Sequence, residues 1–588
     1  MNGFAGHITA CGSFAATGDS RARHPESHVG CDVVVRGYIA DRAALVERFG
    51  LERDAGDGEL VAHAFRTWGA QLQAHVHGEW AAVVWDVRTR TGLLAHDALA
   101  LEPLFYTVRD GGVAFATELV ELLDDETAAV LDDEYLADFF AYGGVTSERT
   151  PYRAVKRLLP GRSLRWADGE LREMRTWNLA DVPALRCRDD AEYEERFRAL
   201  LEAGVRSSLR TAGRAGVALS GGLDSSTIAC VAARAGCDVS AYSTISPRWP
   251  DGDEQSWMRM VVERYGMPWH ATDVESVLPF SRLPTEFLGE PTGSVVDEER
   301  RRIHGELLAS HGVTAMLHGN GGDTVLCSSP GARPPHLADE LFDGKPLGAL
   351  RSVAAWKRES RVSRSYTYWL LRGLVEPSLE HLRGERVRTE HVAFPSWFQR
   401  DYGETMRLER RSRRRIAPAC RRPGHQVVWD DLWSSALTMS TIPRRRMRYD
   451  FRAPLLYLPL VEFMWSIPWE QKLRPRCDRY LQRRALTDVL PEPIRRRATK
   501  AGASGPYAEG LRRSRDWMAF LTDTPLMAQR GIVDAARWRD AVRKASVGQT
   551  SSDKYFFAAV AVEAWLQQLG EHRLRIARSP AAALAPAV

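Results

Sequence analysis

Gly216–Gly236 reads GVALSGGLDSSTIACVAARAG, and three physical units follow one another in it. Val217, Ala218 and Leu219 form an apolar run too short for a helix and suited to a buried strand. Ser220-Gly221-Gly222 ends the run with two glycines, which permit a tight turn and a close approach of backbone to ligand. Asp224, Ser225 and Ser226 stand where a helix begins, and Thr227 to Ala233 carries it on. A strand, a glycine turn and a helix start present free amides and a positive dipole end to an anion, most often phosphate. No Gly-Lys-Ser/Thr closes the loop, so it is not a Walker loop. The hydroxyls of Ser220, Ser225 and Ser226 add donors, and Asp224 is placed to hold magnesium on the phosphates. A bare SGG is equally compatible with an ordinary Ser/Asp-capped turn. The full S-G-G-x-D-S-S between strand and helix is far more specific.

This stretch resembles the pyrophosphate loop of the ATP-pyrophosphatase family, whose members cleave ATP to AMP and pyrophosphate while adenylating a substrate. Outward from it, Ala191 to Leu209 has helical spacing, Asp238 to Ser246 reads as the next strand, and His270 to Asp273 as another. Strand, helix, strand at this spacing is a parallel crossover unit, with the nucleotide expected at the strands' C-terminal ends. Asp253 and Glu254 open a helix to Tyr265, either as a cap pair or as contacts to substrate or metal. Val313 to Leu317 is a further strand and runs into His318-Gly319-Asn320-Gly321-Gly322-Asp323. That loop resembles the G-x-G-x-D segment of asparagine synthetases. The resemblance implies that Asp323 shares magnesium with Asp224, and that Gly319 and Asn320 line the site. Asparagine synthetases carry glutamate at position 320 and β-lactam synthetases tyrosine. Asn320 hydrogen-bonds but cannot take a proton as a base. With Thr324 in place of the usual acid, it argues against aspartate as the substrate.

The first ~180 residues read as short strands with few helices. Strands are expected at Val33–Val35, Trp80 to Trp85, Gly92 to His96, Asp97 to Thr107 and Val113 to Glu118. Helices are expected over Asp41–Phe49 and Asp57–Trp68. The order of motifs is similar to the glutaminase domain joined to asparagine synthetases. Met1 to Gly6 reads MNGFAG, so Asn2 stands where that family has its nucleophilic cysteine, and an amide cannot serve as that nucleophile. Arg36-Gly37-Tyr38 replaces the Asn-Gly-Glu that holds glutamine, and the family's Arg-His-Arg-Gly-Pro-Asp segment has no counterpart. The expectation is a kept fold with lost glutaminase chemistry.

On the C-terminal side, 330–430 is an arginine- and tryptophan-rich insert. Its run from Arg410 to Arg415 reads as a solvated helical face, with a surface for an acidic peptide or a partner protein as the alternative. Trp433 to Leu473 reads as helical and apolar, with Arg452-Ala453-Pro454 matching the synthetases' R-x-P. Arg479 falls where those enzymes place a lysine on the ATP phosphates. Leu490-Pro491 to Lys500 resembles their closing motif, which makes Lys500 the cation at amide formation. The tail from Ala577 reads as disordered.

Composition sets broad limits. The 588 residues are 44% hydrophobic and 27% charged, as in soluble globular chains, and too many for one core. A net charge of +4 gives no reason to invoke nucleic acid. The eight cysteines form no C-x-x-C pair, which argues against zinc or a disulfide framework and fits a cytoplasmic setting; no membrane-length apolar run is read. The chain is therefore expected to be α/β. Residues 1–180 form a shortened N-terminal nucleophile-hydrolase-like α+β sandwich. After a linker at 178–190, residues 190–576 form a parallel-sheet ATP-pyrophosphatase domain with helical additions. The resemblance implies ATP and magnesium as cofactors and an AMP-forming amide ligase. A lasso-peptide-type macrolactam cyclase acting on a ribosomal precursor peptide, with a leader peptidase and a leader-binding protein as partners, is the first expectation. An ammonia-dependent asparagine synthetase and a non-catalytic homologue are the alternatives.

Overall fold

The structure is a computed structural model that describes residues 3–17, 23–24, 29–210, 213–327, 334–359, 364–387, 394–442, 444–498, 502, 504–549 and 554–577. Asn2, Lys500 and the tail beyond Ala577 lie outside the described residues.

The N-terminal part is two antiparallel sheets face to face, one of five strands and one of six. Its central strand, Gly78–Asp86, shows why the sequence reads as it does. Ala81, Val83 and Trp85 enter the core between the sheets with Phe4, Val34 and Phe115. Trp80, Ala82 and Val84 point the other way, against Leu45, Leu60 and Val61 of the helices Arg42–Phe49 and Asp57–Trp68. A strand covered on both faces is apolar at every position rather than at alternate ones. The helix Asp133–Tyr142 turns Phe140 toward the C-terminal part, where its ring meets Phe398 edge-on at 5.1 Å. This is the expected sandwich, with one correction. Asp97 to Thr107 is a strand only from Phe105 onward, because the Asp97 carboxylate accepts from the amides of Leu99, Leu101 and Glu102 at 3.1 Å each and holds a turn there.

The C-terminal part is built on a parallel sheet whose strands and helices are numbered here in chain order. They are β1 (Arg214–Ala218), α1 (Leu223–Arg234), β2 (Val239–Ile245), α2 (Gln255–Tyr265), β3 (Trp269–Asp273), α3 (Glu298–Ser310), β4 (Val313–Leu317) and β5 (Asp450–Arg452). The spatial order is β3-β2-β1-β4-β5, and every pair is parallel. Strand order reverses between β1 and β4, and a crevice at such a switch point is where open parallel sheets bind ligands. The two glycine loops follow these two strands. β5 corrects the expectation of continuous helix over Trp433–Leu473. The first helix there ends at Met439, and the chain then turns through Arg444–Arg446 into the sheet edge.

The insert folds as helices. Trp356 and Trp369 close a satellite core with Leu337, Val353 and Leu374, while Trp397 stacks on Phe398 in the main core. The arginine run is neither a free solvated face nor an open basic surface throughout. Arg411 is mostly buried and pairs with Glu134 and, at 2.7 Å, with Asp138, so it clamps the insert to the N-terminal sandwich.

Candidate active site

Gly222 is the N-cap of α1 and supplies no capping side chain, so the first amides of α1 keep their capacity for an anion. Gly221 has φ 75°, and a Cβ there would lie 2.9 Å from Trp257 Cβ. Ser220 Oγ and Ser225 Oγ are 2.9 Å apart across the loop mouth, and the Ser220 amide donates to Ser225 Oγ at 3.2 Å. Ser226 differs from these two. It is fully buried, and its hydroxyl has no hydrogen-bond partner among the described residues.

The second loop packs directly on the first. A Cβ on Gly319 would sit 3.0 Å from the Ser225 amide nitrogen, and one on Gly322 would sit 2.5 Å from Asp224 Cγ. Only glycines at these positions let the loops after β1 and β4 touch. Asn320 is exposed at the loop's tip. Asp224 and Asp323 meet at Arg479, whose Nη2 lies 3.2 Å from Asp224 Oδ2 and donates to Asp323 Oδ1 as well. Asp478 holds the guanidinium from the other side at 2.9 Å. Arg479 is buried and left-handed, with φ 49°, a conformation that costs a non-glycine residue roughly 1–2 kcal/mol. Burial pushes the Asp224 carboxyl up, with Asp323 adding to the rise and Arg479 opposing it. This corner therefore favours added positive charge. Among the described residues no group of three or more His, Cys, Asp or Glu could hold a metal ion. Two converging carboxylates nevertheless fit magnesium, which takes few protein ligands and completes its shell with phosphate and water.

Sequence reasoning missed Gln482 here, and it had Arg483, one turn after Arg479, and Arg497, in the segment leading to Lys500, in view without the contacts they make. Gln482 donates to Asp224 Oδ1 at 3.3 Å and to Thr227 Oγ1 at 2.9 Å. Arg497 donates to the Gly221 carbonyl at 3.1 Å, pairs with Glu254 and lies 4.7 Å over the Trp257 ring. Arg483 donates to the Arg497 carbonyl at 2.9 Å. Arg497 and Gly502, on either side of Lys500 in sequence, both reach the turn before α2, Arg497 through Glu254 and Gly502 through its carbonyl oxygen, 2.5 Å from where a Cβ on Gly252 would sit. Of the two acids before α2, Asp253 accepts from the Ser246 amide at 3.2 Å and Glu254 serves Arg497.

Beside the loop a cavity of about 470 Å³ runs along the C-terminal ends of the strands, walled by Leu219, Tyr242, Leu307 and Met316. A Cβ on Gly216 would lie 2.9 Å from the Tyr242 ring, so this glycine gives the ring room to lie over β1. A second cavity, of about 240 Å³, opens on the seam between the two parts of the molecule. Thr117, Glu118 and Val120 form its N-terminal wall, and Glu290, Ile442 and Arg444 the opposite one. Ile442 borders both cavities.

Arg36-Gly37-Tyr38 faces the same seam. Arg36 pairs with Glu118 at 2.8 Å and Glu102 at 3.6 Å, and Glu102 pairs in turn with Arg444. The Tyr38 hydroxyl is 3.0 Å from Ser208 Oγ, and its ring carries Arg452 at 4.5 Å. The side chains of Arg36 and Tyr38 are thus both engaged with protein. All eight cysteines are free thiols, and among the described residues no helix is long and apolar enough to cross a membrane.

A family model described as asparagine synthase matches residues 196–567, and one described as a glutamine amidotransferase domain matches residues 37–177. "Asparagine synthetase [glutamine-hydrolyzing] 3" of Bacillus subtilis is 22% identical over 495 residues, covering 79% of this chain and 73% of its own. A "Putative asparagine synthetase [glutamine-hydrolyzing]" of Mycobacterium bovis is 32% identical over 189 residues, covering 30% of this chain and 28% of its own. "Amidase chry2" of Gibberella zeae is 25% identical over 317 residues, covering 50% and 46% respectively.

Proposed function

Because the chain belongs to the asparagine synthase family, whose model spans more than half of it, we propose that it is an ATP-dependent carbon–nitrogen ligase that releases AMP and pyrophosphate. The observation that carries this reading is the convergence of Asp224, Asp323 and Arg479 beside the Ser220–Ser226 loop at the sheet's switch point. ATP supplies the activation, joining a carboxylate to AMP so that an amine can displace the nucleotide. The amides at the start of α1 and the hydroxyls of Ser220 and Ser225 bind the phosphates. Asp224 and Asp323 would hold magnesium on the leaving pyrophosphate, and Arg479 orients both carboxylates. Gln482 and Arg497 fix the loop from behind. Lys500 neutralises charge developing at the acyl carbon.

The amine comes from the substrate rather than from glutamine. Arg36 and its pairs with Glu118 and Glu102 occupy the place of the family's glutamine-binding triplet, which supports this reading. The acyl and amine groups reach the nucleotide through the seam cavity, whose wall at Ile442 it shares with the larger cavity. A peptide carrying both groups satisfies this arrangement, so the finer reading is macrolactam closure of a precursor peptide. Ammonia-dependent amidation of aspartate is the second reading; the named relatives support its product, asparagine, while their names give glutamine as the nitrogen source. The test is to incubate the protein with Mg-ATP and, in turn, a synthetic peptide bearing a free N-terminal amine and an Asp or Glu side chain, aspartate with ammonium, and aspartate with glutamine. A peptide product lighter by one water supports ring closure. Asparagine formed with ammonium supports the second reading. Glutamate released from glutamine refutes the source assigned to the amine.

A further inference from the structure

The insert gathers exposed apolar side chains onto one stretch of chain. Among the described residues twelve large hydrophobic side chains are exposed, and eight of them fall within 341–382. Single exposed leucines are ordinary, but this concentration marks a face built for contact.

The helical run 366–382 shows how the face is made. Trp369 and Leu374 pack into the satellite core, and Gly373, Pro377 and His381 are buried on the same side. On the opposite side Leu371, Val375, Leu379 and Leu382 recur every three or four residues, and all stand exposed, Leu382 at 71%. A surface helix turns polar residues outward, whereas one that is apolar on both sides is a helix to be covered. The helix Pro346–Glu359 repeats the arrangement. It buries Ala349, Val353 and Trp356 in the same core and turns Leu347 and Leu350 outward, with Arg351, Lys357 and Arg358 exposed on that side.

Charge says what covers this face. Residues 345–383 hold eight Lys and Arg against three Glu, a net +5 in a chain whose total is +4. A second copy would bring the same excess of positive charge to the contact and be repelled. An anionic bilayer would attract the arginines, but Glu376 and Glu380 adjoin Val375 and Leu379 and would be pressed against its headgroups. A stripe repeating every four residues is, besides, the ridge into which another helix packs.

We propose that this face of the insert docks an acidic amphipathic helix of a partner protein. Its apolar side chains pack along Leu371, Val375, Leu379 and Leu382, and its Asp and Glu side chains meet the surrounding arginines and lysines. The face contains none of the residues assigned to the nucleotide or to amide formation, so docking and turnover are separable.

The test uses the full-length protein and the fluorescence anisotropy of two labelled peptides of about eighteen residues, long enough to hold a helix. Both carry Leu along one helical face, and the remaining positions are Glu in one peptide and Lys in the other. Wild type should bind the Glu peptide at least about tenfold more tightly than the Lys peptide. The double variant Leu371→Ser/Leu379→Ser should weaken that binding by about tenfold or more while ATP-dependent turnover stays unchanged, and Leu382→Ser serves if the double variant does not fold. Equal affinity for the two peptides, or undiminished binding by the folded variant, would overturn the proposal. Binding to phosphatidylserine vesicles that is tighter than to the Glu peptide and lost in the variant would overturn it in favour of a membrane. A wild-type dimer in sedimentation equilibrium that the variant dissolves would overturn it in favour of a second copy.

Discussion

Asp224 and Asp323 lie on different loops yet share one guanidinium nitrogen, and that single contact defines the chemistry of the corner. Asparagine at either position keeps the size and much of the hydrogen bonding but removes a formal charge. Asp224→Asn and Asp323→Asn should each lower ATP-dependent turnover by about a hundredfold or more, measured at saturating magnesium. A variant that keeps near wild-type turnover would show that its carboxylate does not serve the metal. Both aspartates were legible in the sequence because each follows a local pattern of strand, glycines and acid. The contacts of Arg497 and Gln482 were not legible. They reach Gly221 and Asp224 from chain 276 and 258 residues away; Arg497 stands in the segment leading to Lys500, yet nothing there points to Gly221, and nothing around Gln482 marks it.

At the scale of elements, the two glycine loops form one unit because Gly319 and Gly322 allow backbone contact where any side chain would intrude. Gly322→Ala would place a Cβ 2.5 Å from Asp224 Cγ and 2.8 Å from its Cβ, side-chain atoms of one residue rather than backbone. The fold should therefore survive while the carboxylate shifts. Turnover should fall by about a hundredfold, with the far-ultraviolet circular dichroism unchanged. Full activity in this variant would mean that Asp224 has freedom the packing does not suggest. The strands before these loops were readable from their apolar runs. β5 was not, since three residues, Asp450-Phe451-Arg452, carry no period and the sheet edge alone makes them a strand. Likewise, Asp97 ends the strand pattern around it through hydrogen bonds that a hydropathy reading cannot register.

At the scale of the whole molecule, the N-terminal sandwich and the synthetase part are joined by polar contacts across the seam. Glu79 accepts from the Ala453 amide at 2.8 Å across the seam, and Arg411 clamps the insert to Glu134 and Asp138. These partners are far apart in sequence, which is why the arginine run read as a solvated face. Burial pushes the Glu79 carboxyl from 4.5 up to about 7, so the folded state prefers it protonated. The unfolded chain ionises it at lower pH. This contribution to stability is therefore present at low pH and is lost as pH rises from about 4.5 through about 7, on the order of 3 kcal/mol in all. Glu79→Gln keeps an acceptor for the Ala453 amide without the ionisation. Its thermal midpoint should fall less than that of wild type between about pH 5 and about pH 8. Part of the slope should remain, because burial also pushes the nearby Asp97 carboxyl up to about 7. Parallel decline of the two proteins would show that Glu79 does not titrate across the fold.

The most direct measurement of the central claim is the identity of the nucleotide left after turnover. Wild type incubated with Mg-ATP and its carboxylate substrate should yield AMP and pyrophosphate in equal amounts, resolved by ion-exchange chromatography, and the yield should collapse in Asp224→Asn. ADP and phosphate as the products, or AMP formed undiminished by that variant, would contradict the account.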